Sequence, residues 1–367
     1  MSKLLTDDVP KSNDNMSAID VPPSRFVGLR FRGKTDVQRK TVSPDVAFDK
    51  LDSRVVGDGK YTIGYDIYSV ANTWSVQLYK EFESEVKRHQ DRIENVIYTE
   101  SEGKVDKQIS NLEDLIVKDV DVIITTPNSP TALVPVLKKA QDKGIKVVLL
   151  GAKINADTYD ALITVDDYDF GKAGAEWLAE TLGGKGKIIA LNGMAGISVS
   201  DERWQGAKEV FDRYPDLEVL SSVNADWDYA KAKLEVGNLL AANPQIDGVW
   251  SQGGGMTLGA IEAFQAANRA LVPMTSEDNN GFLKKWNSLK EEGFQSIAVA
   301  KPTWLGSEAL LLALDMLDGK EVPKDQILEV PVITTDNLAE FVREDLPDSF
   351  WANSRMTDEE VKATFSE

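Results

Sequence analysis

The chain has 367 residues, 42% of them hydrophobic, a length at which one core usually stops growing and two domains are expected. Asp and Glu number 60 against 41 Lys and Arg, and a formal charge of -19 repels phosphate backbones and anionic lipid, so neither nucleic acid nor a membrane surface is an expected partner. With no cysteine and a single histidine, the sequence excludes disulfides, thiolate chemistry, His-based metal centres and a Ser/His/Asp triad.

Residues 1–57 mix Ser, Asp, Asn and Pro without a sustained period and read as an arm, with one candidate strand at Phe26–Phe31. No apolar run reaches the roughly 18 residues that a membrane span needs. Met1-Ser2-Lys3 lacks the apolar core of a signal peptide, so the expectation is a cytoplasmic protein, or an exported one whose signal lies outside this numbering.

From about Gly59 strands and helices alternate. The pattern predicts a strand at 61–67, a helix at 74–89, a strand at 95–98, a helix at 104–118, a strand at 120–125, a helix at 130–143 and strands at 146–150 and 161–165. In the first helix Trp74, Leu78, Phe82 and Val86 form an apolar stripe, with Lys80, Glu83, Glu85 and Lys87 in water and His89 as a solvated residue at its end. A second set follows: helix 170–182, strand 187–191, helix 201–214, strand 217–223, helix 228–243, strand 248–251, helix 256–267, strand 271–275, helix 282–292 and strand 296–300. A helix at 304–317 and a strand near 328–333 complete two βαβ series, the grammar of an α/β fold with parallel sheets.

The glycine-rich stretches are not phosphate cradles. Gly183-Gly184-Lys185-Gly186-Lys187 lacks the P-loop spacing, and Gly253 to Gly259 misses GxGxxG by one position. Asp166-Asp167-Tyr168-Asp169 reads as the crossing into a helix capped by Asp169 rather than as a cation site. Tyr68, Trp74 and Trp227 fall at strand-to-helix junctions, the rim where open α/β sheets bind ligands. A sugar, with apolar C–H faces and a ring of hydroxyls, calls for such aromatic plates beside Asp, Asn, Arg and Gln.

From Tyr61 to Ile333 the chain resembles the bacterial periplasmic sugar-binding proteins of the ribose and galactose type, the solute-capturing subunits of ABC importers. The resemblance rests on Ile63 to Trp74, Asn192-Gly193-Met194-Ala195-Gly196, Asp201 to Gly206, Ala225-Asp226-Trp227-Asp228, and Ser251-Gln252 with Met256 to Ala260. It implies a type I periplasmic binding protein fold: two doubly wound, Rossmann-like lobes joined by a three-crossing hinge near Val165–Asp167, Ala300–Pro302 and Val330–Thr334. The lobes would comprise 58–165 plus 302–330 and 166–301 plus 331–345, with 346–367 as a C-terminal tail.

Carried over position by position, the implied ligand-binding residues are Tyr68, Asn72, Trp74, Arg203, Trp227, Gln252, Asp278 and Lys301. Arg203 and Asp278 would make charged hydrogen bonds, and the two tryptophans would sandwich the ring. The chain departs from the family pattern at three places, the first a pair of residues. Gly151-Ala152 replaces a polar residue and a base, Gly253 replaces an amide, and Lys301 stands where an amide is common. Lys301 would meet an anionic ligand or neutralise Asp278.

The resemblance implies a non-enzymatic, extracytoplasmic, monomeric solute-binding protein without cofactor or metal, delivering a sugar, polyol or sugar acid to an ABC permease. The rival expectation is the effector-sensing domain of a sugar-responsive regulator or a chemoreceptor partner. A cytoplasmic enzyme is a third reading, which the lack of histidine, cysteine and phosphate loops opposes.

Overall fold

A computed structural model describes residues 60–365; the arm at 1–57, its candidate strand Phe26–Phe31 and residues 366–367 lie outside the described residues. The first sheet collects β1 (Tyr61–Ile67), β2 (Ile93–Glu100), β3 (Val122–Thr125), β4 (Lys146–Leu150) and β5 (Ala161–Val165) with β11 (Asp325–Leu328). Its order is β11-β5-β4-β3-β1-β2, and every pairing is parallel. All four residues of β3, Val-Ile-Ile-Thr, are buried, because helices cover both faces of the sheet.

The second sheet is built from β6 (Lys185–Asn192), β7 (Asp216–Asn224), β8 (Gly248–Ser251), β9 (Met274–Ser276), β10 (Ser296–Val299) and β12 (Val332–Ile333). Its order is β12-β10-β9-β8-β6-β7, parallel throughout except for the β10–β12 pair. Both orders reverse direction about the first strand of their unit, the doubly wound pattern of a type I periplasmic binding fold. The run predicted as one strand at 328–333 is in fact two, β11 and β12. Chain leaving the first sheet at Leu328 enters the second at Val332.

The crossover helices are α1 (Thr73–Arg88), α2 (Val105–Val117), α3 (Val134–Asp142), α4 (Asp167–Thr181), α5 (Ser198–Phe211), α6 (Tyr229–Ala242), α7 (Gly254–Ala266), α8 (Asn280–Leu289) and α9 (Leu305–Leu317). On α1 Leu78 and Phe82 are buried as the apolar stripe requires, and Phe82 stacks on Tyr65 of β1 at 4.0 Å between ring centres. Glu85, expected in water, is buried, because Arg88 and His89 fold over it at 2.5 and 2.9 Å. The cap of α4 is Asp166, not Asp169: its carboxylate accepts from the backbone N–H groups of Tyr168 and Asp169, so the helix starts one turn earlier than predicted.

The chain passes between the sheets three times, from β5 to α4, from β10 to α9 and from β11 to β12. Beyond them, α10 (Leu338–Phe341) and α11 (Asp358–Phe365) frame a segment that was expected only as a tail. Phe350 and Trp351 of this segment are buried.

Candidate functional site

The carboxyl ends of the strands in both sheets face a common cavity of about 410 Å³, within the usual range of small-molecule sites. From the first sheet, the β1–α1 connection supplies Tyr68, Asn72 and Trp74. Asn72 caps α1: its Oδ1 accepts from Ser75 N at 2.9 Å, while its Nδ2 donates to Tyr68 Oη at 2.9 Å. After β3 comes Asn128, whose Nδ2 donates to Ser101 Oγ at 2.8 Å and whose buried Oδ1 has no partner among the described residues.

After β4 the backbone turns through Gly151 at φ +73°. That turn brings its carbonyl to Lys301 Nζ at 2.5 Å and leaves room for the Trp74 ring, whose Cη2 would lie 3.8 Å from an added Cβ. The second sheet supplies Arg203 from α5, Trp227 from the β7–α6 turn, Gly253 and Gly254 after β8, Glu277 after β9 and Lys301 after β10.

Trp227 and its neighbour Asp226 are both left-handed, at φ 57° and 56°. Two consecutive non-glycine residues there are costly and mark a position that the surroundings hold in place. The indole lies flat on Gly193, where a Cβ would come within 2.2 Å of Cε2, and beside Gly253, where one would come within 2.9 Å of Cδ1. Gly253 therefore makes room for an aromatic plate.

At the floor Arg203, Asp167, Glu277 and Lys301 form a closed ionic network, all four side chains nearly inaccessible. Arg203 Nε donates to Asp167 Oδ1 at 2.9 Å and Nη1 to Glu277 Oε1 at 2.8 Å, with Nη1 also donating to the Gln252 carbonyl at 3.1 Å. Phe170 lies under the guanidinium at 3.5 Å. Lys301 Nζ donates to Asp167 Oδ2 at 2.7 Å. Burial pushes the Glu277 carboxyl up to about 7 against the pull of Arg203, and lowers the Lys301 ammonium although Asp167 opposes the shift. Each of the two cations faces at least one carboxylate of the network.

Six of the eight residues named from the sequence line the cavity: Tyr68, Asn72, Trp74, Arg203, Trp227 and Lys301. Gln252 and Asp278 do not. Gln252 turns inward, its Nε2 donating to Asn192 Oδ1 at 3.1 Å, and only its carbonyl supports the site by accepting from Arg203 and Trp227. Asp278 points away, its Oδ2 accepting from the N and Nδ2 of Asn353 at 2.8 and 2.7 Å, and its neighbour Glu277 takes the position at Arg203. Lys301 consequently neutralises Asp167 rather than Asp278.

Sequence reasoning missed Asp167, Glu277, Asn128 and Trp351. A carboxylate pair at the end of β9 was visible, but which member faces the site depends on the twist of the chain after a three-residue strand. Among the described residues no group of three or more His, Cys, Asp or Glu could hold a metal ion, and no helix is long and apolar enough to cross a membrane.

A family model described as the periplasmic binding protein domain matches residues 63–321. The xylitol-binding protein of Mycolicibacterium smegmatis is 31% identical over 244 residues, covering 66% of this chain and 69% of that protein. The ribose import binding protein of Bacillus subtilis is 29% identical over 265 residues, covering 72% and 84%. Among solved structures, a fructose-binding periplasmic domain of a hybrid two-component system superposes with a TM-score of 0.69 at 26% identity, covering 76% of this chain and 92% of that one. A solute-binding protein of Actinobacillus succinogenes with bound D-allose gives 0.68 at 25% identity, covering 77% and 100%.

Proposed function

We propose, from the premise that this chain belongs to the periplasmic binding protein family and to its ribose-type sugar-binding branch, that it captures a neutral sugar or polyol in the cavity between two hinged lobes and delivers it to an ABC import permease. The lobes are the two sheet units, 58–165 plus 302–330 and 166–301 plus 331–345, and the three chain passages between the sheets are the hinge. The mechanism is closure and release without covalent chemistry.

One observation carries the choice of a neutral ligand. The floor of the cavity is a self-neutralised network of Arg203, Lys301, Asp167 and Glu277, so no unpaired cation is offered to a ligand carboxylate. Above it stand the Trp74 and Trp227 rings, suited to the C–H faces of a sugar. Tyr68 Oη, the Arg203 guanidinium edge and Glu277 are the polar groups that orient hydroxyls. This reading moves the expected ligand away from sugar acids.

A thermal-shift screen of neutral sugars, polyols and sugar acids tests it, because a ligand at a hundred times its dissociation constant stabilises the fold by about 2.7 kcal/mol. Stabilisation by neutral members supports the reading, and stabilisation by acids alone contradicts it. The likeness to the domain of a two-component system favours a second reading, a sensor that presents the sugar to a receptor. Stimulation of a co-reconstituted permease ATPase by the liganded protein separates delivery from sensing.

A further inference from the structure

The C-terminal segment 346–353 is tied to both sides of the cavity. Toward the second sheet, Ala352 N donates to the Asp278 carbonyl at 3.1 Å, Asn353 donates twice to the Asp278 carboxylate, and Asn279 and Trp351 form an antiparallel bridge. Toward α1, Trp351 N donates to Gln77 Oε1 at 2.8 Å, Gln77 Nε2 returns a bond to the Trp351 carbonyl at 2.9 Å, and Trp351 Nε1 donates to Thr73 Oγ1 at 3.0 Å. This bracing seats the Trp351 ring in the cavity wall beside Thr73, as a third tryptophan with Trp74 and Trp227.

All three indole N–H groups are spent inside the protein. Trp74 Nε1 donates to the Lys301 carbonyl at 2.7 Å, Trp227 Nε1 to the Gln252 carbonyl at 3.1 Å and Trp351 Nε1 to Thr73. The three tryptophan walls therefore present carbon alone. Polar partners come from elsewhere: Arg203, whose Nε and Nη1 are committed and whose Nη2 is left over, Glu277 and Tyr68. A hydroxyl forced against the Trp351 wall gives up its bonds to water and finds none in return.

We propose that Trp351 is a specificity-determining residue of the cavity, and that its wall receives an apolar portion of a neutral sugar-like ligand: a deoxy carbon, a methyl or a methylene. The proposal rests on the sugar-binding reading and narrows it. The segment 346–353 is accordingly part of the binding site rather than a tail.

Calorimetry on the full chain with matched pairs differing by one hydroxyl tests this, using D-fucose against D-galactose, L-rhamnose against L-mannose and 6-deoxy-D-glucose against D-glucose. The parent protein should favour the deoxy member of at least one pair by about tenfold, the weight of one unmatched hydroxyl. Trp351→Ala should bring that ratio close to one, and Trp351→Phe, which keeps a flat ring, should retain most of it. Should the alanine variant fail to fold, Trp351→Leu keeps apolar bulk without the flat face and reads the same loss of preference. Parental preference for the hydroxylated members, or a ratio unchanged in the variants with only the melting temperature lowered, overturns the proposal alone. Failure of the parent to bind any of these probes, D-ribose, D-allose or xylitol overturns the sugar-binding reading and the proposal with it.

Discussion

Lys301 Nζ lies 2.7 Å from Asp167 Oδ2, with both side chains buried. The two residues come from opposite ends of the second unit, one opening α4 and the other following β10, so the pair closes the base of the cavity. Removing Asp167 would leave the Lys301 ammonium without a carboxylate partner in a low-dielectric site, whereas Asp167 without Lys301 keeps Arg203.

Lys301→Gln should therefore lower stability by roughly 3 kcal/mol, toward the low end for a broken buried pair, because Arg203 Nε still reaches Asp167. Affinity for neutral sugars should fall in the same variant. Denaturant unfolding together with calorimetry checks both. A gain for neutral sugars with a selective loss of sugar acids would show that the ammonium serves the ligand instead.

Space decides the second case. At Gly253 φ is -165°, open to any residue, and what excludes a side chain is the 2.9 Å approach of its Cβ to Trp227 Cδ1 and Met256 Cε. Gly253→Asn should displace the indole and weaken ligand binding at least tenfold, at a stability cost of about 1–3 kcal/mol for the added bulk. Gly193→Ala, facing the same ring at 2.2 Å, should act in the same direction. Unchanged affinity in both variants would remove Trp227 from the site.

Acid dependence follows from Glu81 on α1. Its carboxylate accepts from Ser354 Oγ at 2.5 Å, Thr303 Oγ1 at 3.2 Å and Arg355 N at 3.3 Å, yet burial still raises it to about 7 from a usual value of 4.5. A raised carboxyl contributes stability while protonated, in full below about pH 4.5, and loses it as pH climbs through 7. The difference in unfolding free energy between the parent and Glu81→Gln should thus shift by on the order of 3 kcal/mol against the parent from pH 4 to pH 8. A pH-independent difference would show that Glu81 ionises normally.

Hinged closure should also be visible in solution. With a ligand found by thermal shift at saturation, the radius of gyration from small-angle scattering should shrink as the two units swing together. Identical scattering with and without ligand would argue for a static cavity, held shut by the C-terminal segment bridging Gln77 and Asp278.

The fold was legible where periodicity is strong. The fully buried β3 and the Leu78–Phe82 stripe of α1 announce themselves in the sequence, and so do the aromatics Trp74 and Trp227 at strand ends. What escaped depends on register or on distance along the chain. Glu277 and Asp278 are adjacent carboxylates beyond a short strand, and nothing local says which one faces Arg203. The Lys301–Asp167 pair spans 134 residues, and nothing local in the sequence points to Asp167 rather than Asp278 as the partner of the lysine. Trp351 sits in an aperiodic stretch, held by side-chain bonds to Gln77 and Thr73 that no pattern encodes.

The proposed site for a neutral sugar or polyol is floored by Arg203. Calorimetric titration of that ligand into the parent and into Arg203→Ala tests it most directly. Losing one member of a buried charged pair should cost about 2–5 kcal/mol, at least thirtyfold in affinity. Saturable one-site binding is expected in the parent and little or none in the variant. Full affinity in a folded Arg203→Ala would contradict it.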